Sequence, residues 1–268
     1  LQAVHALRWE QLSREAREAL LREALARALE GGAAAVAAAI AAELASIVAF
    51  SWGLAEARQL LRDHPLPEGC GVGELVRRAR HEGRLAMLAG VPRRGIPRLL
   101  EAVHLAEEAG LPLLEARCRI ALGQALSAGT LGREAEHHLR RGIALSREHG
   151  LPEQTVRATL RLAQHLLRLG LRRDAAALVH EALDAAVRAG LVELEEQCTG
   201  TLGYLLIGER RLPEALAHLD RAVTLAREGG GRRALYLALC NRGLAGALAG
   251  RAGEGRRDLE EALGGAGG

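Results

Sequence analysis

The sequence contains no lysine; all 36 of its basic residues are arginine. A Walker phosphate loop, a Schiff-base enzyme and a lysine general base each need an ammonium at one fixed place, so none can be built from this chain. Aromatic residues are almost as scarce, with two Trp, two Tyr and one Phe. That is too few for the stacking platforms that hold single-stranded nucleic acid. The four cysteines, Cys70, Cys118, Cys198 and Cys240, are far apart and form no CxxC or Cys/His cluster. They therefore offer no zinc site and read as small side chains of an intracellular, cytoplasmic protein. A signal peptide is missing, and because the first residue is leucine the sequence reads as a piece of a longer protein.

What remains is an ordinary globular composition: 268 residues, 49% hydrophobic, 26% charged, net charge +3. Such a chain is long enough to bury a sizeable core and too balanced to stay disordered. A GC-rich genome is a second source for the arginine excess, beside any functional one. The stretch from Ala33 to Trp52 is nearly all apolar apart from Glu43. Alanine contributes little to insertion, and a carboxylate near mid-membrane costs roughly 2.5–3.5 kcal/mol, so the expectation is a buried soluble helix and no membrane span.

The organisation is a repeat of forty residues. Small residues recur at Gly83, Gly123, Ala163, Gly203 and Gly243, and again twelve further on at Gly95, Ala135, Ala175, Ala215 and Gly255. Four beyond stands an aliphatic (Leu99, Leu139, Val179, Leu219, Leu259), then three later a small residue (Ala102, Gly142, Ala182, Ala222, Ala262). Gly110, Gly150, Gly190 and Gly230 keep the same interval. Each unit reads as a helical hairpin. From Pro112 to Gly150, Leu113, Ala116, Ile120, Gly123 and Leu126 mark one apolar stripe, Gly129 and Gly132 break it, and Ala135, Leu139, Gly142 and Ile143 mark the next. Glycine ends the hairpin and Pro152 suits the first turn of its successor. A side chain larger than alanine at the small positions would push crossing helices apart. One hairpin cannot bury both faces, so the units must stack into a solenoid.

Gly123, Ala135, Leu139 and Gly142 together resemble the signature of the tetratricopeptide repeat (TPR). The resemblance covers about 74–264 in five units and, less regularly, 33–66, where Ala45, Ala57 and Leu61 keep the spacing before Pro65 and Pro67 cut it short. It departs from the family in its longer unit and in aliphatic residues where aromatics are usual; HEAT repeats have a similar length but not this small-residue spacing. Long units of this kind are similar to the TPR-like regions of large bacterial regulators of the maltose-regulator/LuxR and AfsR types. The resemblance implies an all-α, right-handed superhelical solenoid of antiparallel helix pairs. It divides into irregular helices over 1–73 and five repeats over 74–268. A charged helix is expected over Gln11–Glu30, with Leu12, Ala16, Leu20, Ala24 and Ala28 inward and Arg14, Arg17, Glu18, Arg22 and Arg27 in water. A loop is expected at Pro65–Gly73, a looser turn at Gly229–Gly231, and a flexible linker or tail at Gly264–Gly268.

In a TPR-like superhelix the first helix of each pair lines the concave face. The positions six and three before each small marker, and one after it, read Arg77, Arg80, Arg84; Arg117, Ile120, Gln124; Arg157, Leu160, Gln164; and Gln197, Gly200, Tyr204. The groove so formed is basic at one end and neutral at the other. The site residues expected to meet a partner are Arg77, Arg80, Arg84, Arg117, Gln124, Arg157, Gln164, Gln197 and Tyr204. Guanidiniums bind carboxylates and phosphates through two hydrogen bonds at once, so the partner is a protein, an acidic peptide or an anionic small-molecule effector. The competing reading pairs these arginines with Glu74, Glu82 and Glu115 on neighbouring turns. The Asn/Lys clamp that some TPR proteins use for C-terminal carboxylates is not matched.

Catalytic and metal patterns fail. His137-His138 are about 100° apart on a helix, and His81-Glu82 lacks a second zincin histidine. Glu107-Glu108, Glu195-Glu196 and Glu260-Glu261 read as exposed helix charges, Gly69–Gly73 lacks the phosphate-loop lysine, and no GxSxG occurs. No helix-turn-helix separates from the repeat, so this segment is not expected to bind nucleic acid directly. The expectation is a non-enzymatic binding module without a cofactor. The resemblance to the bacterial regulators implies that it is the regulatory or sensor part of such a protein, with an ATPase before it and a DNA-binding domain after it. A stand-alone adaptor and an accessory segment of a signalling enzyme are the alternatives, and an unfinished apolar end near Ala262 leaves a homo-oligomer open.

Overall fold

The computed structural model describes residues 12, 14–50, 53–128, 132–229 and 231–266. Among these it is all-helical: α1 Arg14–Glu30, α2 Ala34–Phe50, α3 Leu54–Asp63, α4 Val72–Leu88, α5 Pro92–Glu108, α6 Pro112–Ala128, α7 Gly132–Glu148, α8 Pro152–Arg168, α9 Arg172–Arg188, α10 Val192–Gly208, α11 Leu212–Glu228, α12 Arg232–Leu248 and α13 Ala252–Ala266. None of them is long and apolar enough to cross a membrane. Two compact units result. The N-terminal unit is Glu15–His165; the C-terminal unit holds Arg14 and the described residues from Leu166 onward.

Seventeen-residue helices follow from punctuation every twenty residues, twice as often as the forty-residue markers show. Gly90, Gly110, Gly150, Gly170, Gly190 and Gly250 all have φ between 61° and 81°, the left-handed conformation that only glycine adopts without steric cost. The next residue then bonds back across the turn, Leu111 N–H to Ala106 O at 2.9 Å and Leu151 N–H to Ser146 O at 2.8 Å. At the equivalent place Arg210 takes φ 63°, the one non-glycine to do so among the described residues.

The small-residue rule is explained by helix crossings. A Cβ on Gly123 would lie 2.6 Å from Leu139 Cγ and 3.1 Å from Ala135 O; one on Gly95 would lie 2.4 Å from Gly83 O. The C-terminal unit repeats the device, with Gly203 against Leu219 and Gly243 against Gly255. Leu99, Leu139, Val179 and Leu219 are fully buried, each contributing about 1.5–3 kcal/mol by removal from water. In the N-terminal unit α4 to α7 share one core around Val76, Leu99, Cys118 and Leu122, and α1 to α3 another around Ala41, Leu44 and Ala57. The loop expected at Pro65–Gly73 is present between α3 and α4. Arg78 secures the end of α3, donating to His64 O at 3.0 Å and to Leu61 O, where the free carbonyls of a helix C-terminus attract a cation.

Three expectations change. Arg14 is buried, not wet: it donates to Glu193 at 3.1 Å within the C-terminal unit. Leu20 is exposed, and Leu25 takes its place beside Ala28, which is buried as expected. Gly264 lies inside α13, so the glycine-rich end is helical through Ala266, while Gly267 and Gly268 are outside the described residues.

Candidate binding surface

In the N-terminal unit α2, α4 and α6 pack successively on one another, with α3, α5 and α7 behind them. The Ser127 hydroxyl on α6, 2.5 Å from His165 Nδ1, joins α8 to this inner layer. Positions 77, 80 and 84 fall on one stripe of α4 because spacings of three and four share a helix face. Arg80 is buried; its Nη2 donates to His81 Nε2 at 2.9 Å, and its Nε has no hydrogen-bond partner. Because a guanidinium only donates, Nε2 of His81 must be the accepting nitrogen and Nδ1 carries the proton, donated to Ser46 Oγ. Burial, then Arg80, push the His81 pKa well below its ordinary value, which keeps the ring neutral at pH 7.

Glu43, projecting from apolar α2, faces this pair. Its Oε1 is 3.8 Å from Arg80 Nη2 and its Oε2 is 3.5 Å from His81 Nε2. The side chain is 44% exposed, so it stays within reach of solvent. Crowding by protein opposes its ionisation, but the guanidiniums of Arg80, Arg84 and Arg117 hold the carboxyl below the usual carboxylate range. Arg84 feels Arg80, Arg157 and Arg161 in turn; burial and these like charges push it down to about 9, still cationic at neutral pH. Arg84 and Arg117 have no ion-pair or hydrogen-bond partner among the described residues. Arg157 is held by Glu153 at 2.5 Å, and Arg161 donates to Gln164 at 2.7 Å.

The structure thus brings Arg80, Arg84, Arg117 and Arg157 into one electrostatic cluster. Arg161 and Glu43 join it; neither was among the sites expected from sequence. Glu43 did give a signal, as the lone charge in an apolar run. Arg77 is engaged by Glu74 at 3.5 Å. Gln124 is half-buried on α6, and Gln164 is occupied by Arg161. In the N-terminal unit the position three before the marker turns inward to neighbouring helices, so Ile120 and Leu160, like Arg80, are buried and not groove lining. Gln197 and Tyr204 stand on α10 in the C-terminal unit. There the inner helices α10 and α12 present Tyr204, Leu237 and Leu244, each 45–49% exposed, and no arginine at those register positions.

Other arginines are structural ties. Arg119 is buried and donates to Glu115 at 2.6 Å, to Glu107, and to His138 Nδ1 at 3.2 Å. Glu107 is therefore partnered and not simply a solvated charge, and Glu196 is buried. Arg242 grips Asp258 with two bonds of 2.6 and 2.8 Å and Asp220 with a third of 3.0 Å. His137 and His138 form an edge-to-face ring contact at 5.4 Å, and no three metal-ligating groups converge among the described residues.

The Ser46–His81–Glu43 line has the composition of a hydrolase triad without its chemistry. The lone pair of His81 faces Arg80, so it cannot take the serine proton. The crevice between Ser46, His81 and Leu85 has no room for a water-sized sphere. Cys118 beneath the cluster is equally inert, its thiol pushed up to about 11 by burial.

No family profile matches the sequence, and no curated protein does. Solved structures do. BtubC (BKLC) from P. vanneervenii is 21% identical, with TM-score 0.60 over 82% of this chain and 89% of that one. NprR in complex with its cognate peptide NprX is 14% identical, with TM-score 0.62 over 81% of this chain and 62% of NprR. A signal-transduction ATPase with numerous domains (STAND) and a TPR sensor, from Pyrococcus horikoshii, is 12% identical, with TM-score 0.58 over 86% of this chain and 36% of that protein. The fold is TPR-like. The helix pairs and their crossings are those of a helical-repeat solenoid, as the repeat register predicts.

Proposed function

We propose that the chain is a non-catalytic interaction module whose N-terminal unit binds an acidic peptide segment on the wall formed by Arg84, Arg117 and Arg157, with Arg80 buried behind it. The observation that carries this reading is the pair Arg84 and Arg117. Both stand in a cluster of like charge, both are only half-buried, and neither has a hydrogen-bond or ion-pair partner among the described residues. Each can grip one carboxylate through two parallel hydrogen bonds. Support for a peptide comes from the NprR likeness, a protein solved with its cognate peptide. The STAND likeness, where a TPR sensor is part of a much longer chain, supports a regulatory or sensor role inside a larger signalling protein, and the free cysteines suit the reducing cytoplasm.

The test is titration with a fluorescein-labelled octaglutamate peptide at low salt, with octaglutamine as control. Saturable binding of the acidic peptide alone is expected, lost in an Arg84→Glu/Arg117→Glu variant of unchanged helicity. Equal binding by wild type and variant would remove the site. Reading the flanking genomic sequence tests the regulatory setting: an ATPase or DNA-binding domain in frame is expected there.

A further inference from the structure

The basic wall already contains one carboxylate, and its placement differs from that of the other acids. Glu115 and Glu153 sit four residues before Arg119 and Arg157 on the same helix and pair with them at 2.6 and 2.5 Å. Such pairs are local ties. Glu43 instead comes from another helix, lies 3.5–3.8 Å from two groups, and bonds tightly to neither. Its charge bears on Arg80, Arg84 and Arg117 together. An acidic side chain of a ligand that seeks the same guanidiniums would meet its charge.

We propose that Glu43 is a built-in competitor for the ligand: it offsets Arg80 from the α2 side, so an incoming acid must bind against its charge at Arg84 and Arg117. The inference rests on the acidic-peptide reading above and deepens it. With one internal carboxylate and two unmatched guanidiniums, the wall selects segments bearing two or more acids. A single acid would leave one guanidinium unmatched while still facing the repulsion from Glu43. Stability and affinity then pull in opposite directions at residue 43. Removing its charge loosens the folded unit by exposing arginine to arginine, yet frees the guanidiniums for the ligand.

Glu43→Gln tests this with two readouts of opposite sign, thermal unfolding and titration with labelled octaglutamate. The variant is expected to melt lower than wild type but bind octaglutamate about five- to ten-fold more tightly at low salt, with the gain vanishing near 1 M salt. A variant of normal helicity whose affinity is unchanged or weaker overturns the proposal. Should Glu43→Gln fail to fold, Glu43→Asp withdraws the carboxylate by one methylene and is expected to show a smaller gain of the same sign; no gain there overturns it equally. If binding is lost in Arg84→Glu/Arg117→Glu but indifferent to residue 43, only the competitor role falls. If neither wild type nor Glu43→Gln binds octaglutamate, the acidic-peptide reading falls and the competitor role with it.

Discussion

Helix α4 of the N-terminal unit and helix α12 of the C-terminal unit cross their partners by the same rule and display different chemistry. Gly83 meets Gly95 and Leu99 in one; Gly243 meets Gly255 and Leu259 in the other. Yet 77, 80 and 84 are arginines, while the equivalent positions 237, 240 and 244 are Leu, Cys and Leu. The crossing constrains the face between the helices and leaves the stripe beyond it free to vary. Genome composition would spread arginine over both stripes alike. Its concentration on the α4 stripe, at Arg77, Arg80 and Arg84, is what the proposed anion-binding role accounts for and a biased solvent face does not.

The widest separation between the units is expected in binding. Arg84→Glu/Arg117→Glu should abolish measurable octaglutamate affinity, because charge reversal replaces attraction by repulsion at both grips. Tyr204→Ala/Leu237→Ala should change it less than about two-fold; an equal loss from the second pair would erase the distinction. Packing should instead be shared. Gly95→Ala places a Cβ 2.4 Å from a backbone carbonyl that cannot turn aside, and should cost about 2–4 kcal/mol in urea unfolding. Gly203→Ala meets the Leu219 side chain, which can turn, and should cost less.

A third effect depends on pH. Burial and Arg119 lower His138 to about 4, and His81 lies well below its ordinary value. The unfolded chain protonates both near pH 6.5 while the folded chain keeps them neutral. Acid therefore favours unfolding. Their contribution is complete above pH 6.5 and is lost as pH falls toward 4, so the urea midpoint should fall over that window and fall less in His138→Gln. The smallest effect is conformational: Arg210→Gly should stabilise the C-terminal unit by up to about 1 kcal/mol, since φ 63° suits glycine.

The fold was legible because close helix crossings admit few residue types. Gly123 and Leu139 announce their contact whatever surrounds them. The inner stripe was legible only in part. Register placed Arg80, Arg84, Arg117 and Arg157 on one side, but it could not tell that position 80 is buried, that Ile120 and Leu160 serve the core, or that Glu74 takes up Arg77. Arg161 lies off the chosen register, and Glu43 comes from a helix whose alanine-rich sequence reads as packing. Which arginines are ties and which are free depends on partners such as Glu107 and His138 on other helices, and one-dimensional spacing does not carry that information.

Arginine labelling with phenylglyoxal, read residue by residue by mass spectrometry with and without saturating octaglutamate, separates the two units by their ligand. Arg84 and Arg117 should react in the free protein and become protected by the peptide, while Arg232 and Arg233 of the C-terminal unit are unaffected. Protection at Arg232 and Arg233, with Arg84 and Arg117 unchanged, would contradict that separation.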